Sequence, residues 1–171
     1  MARGRTRRPS AGILDTQSVK TGPQRGPRGF DAGKQVKGRK RVLLVDTEGL
    51  VQAIQVVPAS VQDRDTPAVI EPALAASRLR MVWADLAFNG PAAAGGPLTR
   101  QGIELELVGR KNKTGFVVEP KRWRVEETFG VLGRYRRLQV DHEGSTGMSR
   151  TMTLLAALFM TGARFERQIM A

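Results

Sequence analysis

The sequence contains no cysteine, so it can form neither a disulfide nor a thiolate metal site. Its one histidine, His142, excludes the clusters of imidazoles on which most zinc sites rest. Any metal must then be held by carboxylates, which selects Mg²⁺ or Mn²⁺. Tyr135 is the only tyrosine, and the pattern of Arg and His partners that a tyrosine nucleophile needs is missing. Aromatic residues make up 5% of the chain, too few for a module that reads single strands by stacking on bases. Long apolar runs are also lacking. The longest, Leu154 to Met160, is far too short to cross a bilayer, and the arginine-rich start is not followed by the apolar run of a secretory signal. These absences point to a soluble protein of a reducing compartment, with no membrane partner.

What the chain does have is positive charge: 28 Lys and Arg against 16 Asp and Glu in 171 residues, a formal +12. The excess is uneven. Residues 1–41 carry 12 basic and 2 acidic side chains, whereas 42–99 carry 3 basic and 6 acidic. A basic leading segment beside an acidic middle suggests a polyanion-binding surface flanking an acid-lined site.

Residues 1–10 read as a disordered basic arm and 11–171 as one domain. Ala11 to Val19 is a strand candidate with Asp15 at its middle, where aspartate is normally depleted. Lys20 to Arg41, broken by Gly or Pro every few residues and dense in Lys and Arg, reads as a long loop able to clamp phosphates through Lys34, Lys37, Arg39, Lys40 and Arg41. Val42–Val45 and Leu50–Val57 form a hairpin, with Asp46 in its turn. Asp65, before Thr66 and Pro67, reads as the N-cap of a helix running to about Arg78. Met81–Ala84 is a short strand ending at Asp85, and Pro91–Pro97 is a loop or poor helix. Ile103–Val108 alternates as an edge strand, Arg110–Thr114 is a second basic loop, and Ser149 to about Met170 is a last apolar helix.

The stretch Glu119 to Leu138 reads as the main helix. Val125, Phe129 and Leu132 form its apolar stripe, and Arg122, Glu126, Gly130, Gly133 and Arg137 share the adjacent face. That face sets a carboxylate between guanidiniums and leaves two gaps through which a polyanion backbone could approach. Strand, hairpin, helix, strand, strand, helix is the plan of an α/β ribonuclease H-like domain, with a mixed five-stranded sheet and helices on its faces. In that plan Asp15, Asp85 and Glu126 meet. Three carboxylates without compensating bases repel, and call for cations. Two ions about 3.5–4 Å apart would clamp an in-line displacement at a phosphodiester.

Several stretches in order carry a resemblance: LDTQSVKT from Leu14, GFDAGKQVKGRKR from Gly29, LLVDTEGL from Leu43, PASVQDRD from Pro58, WADLAFNG from Trp83 and RVEETFGVLGRYRRL from Arg124. Together they resemble the DDE-type transposases of bacterial insertion sequences, nearest the group called insertion sequence five. The resemblance implies Asp15, Asp85 and Glu126 as catalytic and metal-binding residues for two Mg²⁺ or Mn²⁺ ions, with Arg122 and Arg134 contacting DNA ends. It also implies transposon-end and target DNA as partners, a homo-oligomer on DNA, and a bacterial cytoplasmic, nucleoid-associated location. The chain departs from the family at Leu86-Ala87-Phe88, where glycines are common, and at Val42, where His is usual. Only fourteen residues precede Asp15, whereas relatives carry a helical region there. The chain is accordingly expected to be a second reading-frame product working with a separately encoded N-terminal partner, or a remnant that binds DNA without cutting.

Overall fold

A computed structural model describes residues 8–90, 96–109 and 122–170. Six strands form one mixed sheet: β1 (Ala11–Lys20), β2 (Gly29–Asp31), β3 (Val36–Asp46), β4 (Val51–Pro58), β5 (Met81–Ala84) and β6 (Glu104–Leu107). β1 and β3 run antiparallel from Gly12↔Asp46 to Lys20↔Gly38, while β5 and then β6 add in parallel on the other side of β1. Both β2 and β4 pair with the far edge of β3. The expected hairpin is present. Gly49 takes φ +78° in its turn, and Asp46 Oδ1 accepts hydrogen bonds from the Glu48 and Leu50 amides, as a turn aspartate should.

The period of two along each strand divides the core between two faces. Leu14, Leu44, Val82 and Ala84 point to one face, with Ile70, Leu74, Phe88 and Leu98 from the short helical segments packed over them. Ile13, Leu43 and Val45 point to the other, beneath Val125, Phe129 and Leu132 of α3 (Trp123–Leu132) and Ala156 and Ala157 of the long helix α5 (Thr146–Ile169). The predicted apolar stripe is therefore the buried face of α3, each of its residues worth roughly 1.5–3 kcal/mol on burial. The remaining short helices are α1 (Glu71–Ala75), α2 (Pro97–Arg100) and α4 (Arg136–Gln139). No described helix is long and apolar enough to cross a membrane.

Several expectations change. Lys20–Arg41 is not one loop: β2 lies within it and β3 begins at Val36, which makes six strands rather than five. The basic residues survive inside a sheet because each finds a partner far away in the chain. Arg39 and Arg41, on the α3–α5 face, and Lys40, on the opposite face, are all buried. The segment after Gln62 starts as a 3-10 helix over Asp63–Ile70, with Gln62 rather than Asp65 at its cap, and α1 then ends at Ala75 rather than near Arg78. The main helix stops at Leu132. Gly133 and the extended Tyr135 (φ −76°, ψ 110°) break it before α4, because glycine holds helical geometry weakly. Residues 119–121, the second basic loop and most of the Pro91–Pro97 stretch lie outside the described residues.

Candidate active site

Asp15 shares the parity of Ile13, so it points to the α3 face of the sheet, as does Asp85 through the parity of Trp83. The parallel register pairs Ala11 with Met81 and Ile13 with Trp83, and the same offset brings Asp15 level with Asp85 just past the end of β5. Asp85 Oδ1 also accepts from the Ala87 amide, capping the single turn Leu86–Phe88. From above, the first turn of α3 contributes Glu126, and Arg122 stands at the cap position of that helix.

The arginine lies at the centre of the acids. Its Nη2 is 3.3 Å from Glu126 Oε1, 3.8 Å from Asp85 Oδ2 and 4.0 Å from Asp15 Oδ2. Arg122 and Asp15 are mostly buried, at 15% side-chain exposure each, whereas Glu126 is 45% exposed. Burial pushes the Asp15 carboxyl up from an ordinary 3.8 to about 6, against the pull of the Thr16 amide and Arg122, with Asp85 adding to the rise. An acid placed where ionisation is costly has a use for a cation.

The donor set is all carboxylate oxygen, the chemistry that Mg²⁺ and Mn²⁺ select. The residues present fit a divalent ion in kind, and the side chains converge on one guanidinium rather than on one another. Among the described residues no three acidic or histidine groups close on a single point. In this arrangement Arg122 supplies the positive charge that the carboxylates need.

Beside Asp15, a second polar network lies across β1 on the opposite face. Thr16 Oγ1 donates to Asp63 Oδ1 at 2.7 Å, and Lys34 Nζ donates to the Thr16 carbonyl at 3.2 Å. Lys40 is held between Asp63 (2.6 Å) and Asp31 (3.4 Å). Although burial opposes it, the Ser18 hydroxyl, the Lys34 amide and Lys40 together hold the Asp31 carboxyl down at about 2. On the α3–α5 face, Arg39 Nη1 pairs with Asp141 Oδ1 at 3.0 Å, and Arg41 Nη2 donates to the Leu138 carbonyl at 2.9 Å. Burial lowers the Arg41 pKa, partly offset by Asp141.

Of the residues expected to touch DNA, Arg39, Lys40 and Arg41 thus hold the sheet to its neighbours, because their side chains are buried against internal acceptors. Lys37 and Lys34 are exposed. With α3 ending early, Arg137 leaves the Glu126 face and pairs with Glu143 at 3.0 Å. Arg134 stays near that face, where Glu126, Gly130 and Arg134 line a groove of about 870 Å³ between α3 and α5. Arg164 and Arg167 line its far wall. The sequence reading passed over both, taking the last helix only as apolar cover. The available signal was their position beyond Met160, which puts all three on one helical face.

No curated protein matches the chain. The transposase DDE domain model matches residues 6–160, nearly the whole chain, and the protein therefore belongs to the DDE transposase family, whose members generally use a divalent metal in DNA transposition.

Proposed function

We propose that this chain is the catalytic domain of an insertion-sequence transposase of the insertion-sequence-five-like group, built on a ribonuclease H-like fold. The observation that carries the reading is the convergence of Asp15, Asp85 and Glu126 on one arginine from β1, the end of β5 and α3. The sheet supports it: two antiparallel strands beside β1 on one side and two parallel strands on the other are the ribonuclease H arrangement, with β2 an added flap.

The reaction assigned is hydrolysis of a phosphodiester at the element's end, followed by attack of the freed 3′ hydroxyl on target DNA. Asp15, Asp85 and Glu126 would hold Mg²⁺ or Mn²⁺, two ions in the usual scheme, which would activate the attacking oxygen and stabilise the leaving one. The protein's own part is positional. Asp15 is fixed by its strand and by the Thr16 amide, 2.8 Å from Oδ1. Arg122 balances the carboxylates and, with a cation present, becomes available to a phosphate oxygen. Lys34, Lys37 and Arg134 carry the exposed charge that DNA needs nearby. A homo-oligomer on DNA, a separately encoded end-recognition partner and a bacterial cytoplasmic setting belong to the same reading.

The test is conversion of supercoiled plasmid to nicked circles by the purified chain in Mg²⁺ or Mn²⁺. Nicking that chelation stops supports the assignment. No nicking with either metal, with DNA binding retained and with an added N-terminal partner making no difference, would leave a DNA-binding remnant instead.

A further inference from the structure

The groove between α3 and α5 contains charge that the fold does not use. Its α3 wall carries Trp123, Gly130 and Arg134, and its α5 wall carries Arg164 and Arg167. Among the described residues no carboxylate pairs with Arg134, Arg164 or Arg167. Arg164 Nη1 donates to the Glu48 carbonyl at 3.0 Å, and Arg167 Nε to the Ala163 carbonyl at 3.0 Å, so both heads are held but not neutralised. Gly130 is open, since a Cβ there would meet nothing within 4 Å. Glu126 is at once a groove wall and a member of the acid cluster, so the groove is continuous with the site.

We propose that this groove is the track of a nucleic-acid strand leaving the carboxylate site, with Arg134, Arg164 and Arg167 holding successive phosphates and Gly130 letting the sugar-phosphate chain lie close to α3. The proposal rests on the transposase reading for its ligand class. It adds α5 to the binding surface, where no sequence motif pointed. The three guanidiniums supply phosphate-matching forks, and Glu126 marks the end of the track nearest the chemistry; of the other acids in the lining, Glu48 and Glu127, the latter is paired with Arg124 at 2.9 Å.

The test is fluorescence anisotropy with a labelled single-stranded and a labelled duplex oligonucleotide across a salt series. The Arg164→Ala/Arg167→Ala variant should bind roughly tenfold more weakly, and its salt slope should fall by about 0.7–0.9 for each phosphate that is no longer neutralised. Gly130→Glu, placed where there is room, should weaken binding similarly, and Gly130→Ala should weaken it by a smaller factor. An Arg78→Ala/Arg80→Ala variant removes equal charge from exposed sites ahead of β5 and should change little. The track is overturned if the wild type binds no DNA, or if Gly130→Glu and the double variant bind like the wild type. Groove-dependent binding without nicking would count against the catalytic reading and leave the track standing.

Discussion

Arg122 Nη2 lies 4.0 Å from Asp15 Oδ2, tying the cap of α3 to the middle of β1 across more than one hundred residues of sequence. The contact places a permanent cation next to a carboxylate whose ionisation the fold resists.

Removing that cation should destabilise the protein in a pH-dependent way. Arg122→Ala should lower the melting temperature by about 2–4 °C, corresponding to about 1 kcal/mol, above the Asp15 pKa of about 6. Near pH 5, with Asp15 protonated, the difference should shrink. Differential scanning calorimetry at both pH values checks this.

Asp15→Asn should act in the opposite direction. Asp15 rises from 3.8 to about 6 on folding, so the native state binds the extra proton, and stability falls as pH climbs through that window. Below the window the substitution should be neutral. Above pH 6 it should raise stability by on the order of 2–3 kcal/mol in the absence of divalent metal. Urea unfolding at pH 4.5 and 7.5 measures the two limits.

Asp31 has the reverse sign. Held down at about 2, its carboxylate contributes stability that is fully present above about 4 and lost as pH falls through 2. Asp31→Asn should cost about 2 kcal/mol at pH 7 and little at pH 2, read from chemical denaturation at each pH.

The Arg39–Asp141 pair, with both side chains 1% exposed, should be among the most sensitive positions in the fold. Asp141 also accepts from the Ser149 hydroxyl and the Glu143 amide, so it joins β3 to the start of α5. Asp141→Asn or Arg39→Met alone should cost about 3–5 kcal/mol, because each leaves a buried charge without its partner. Equilibrium unfolding in urea gives the value.

The candidate site was legible because its signals are local. An aspartate inside an alternating strand, another just after a short apolar strand, and a glutamate one turn into an amphipathic helix are each visible within about ten residues. The first half of β3 was not legible, since its strand character depends on partners such as Asp141, 102 residues from Arg39. Without that knowledge a run of glycine and basic residues resembles a solvated loop. The extension of the main helix to Leu138 failed for a related reason: apolar spacing continues through Leu132 and Leu138, and only the pair Gly130 and Gly133 hints that the chain turns between them. The α3–α5 groove needed the packing of two distant helices, which no single stretch records.

The most direct measurement compares plasmid nicking in Mn²⁺ by the wild type with that by Asp15→Asn, Asp85→Asn and Glu126→Gln, each shown to be folded. Three acids acting as one centre predict metal-dependent nicking by the wild type, and a loss with each substitution about as complete as with all three together. Metal-dependent nicking that survives any one of the substitutions at wild-type rate would contradict the account.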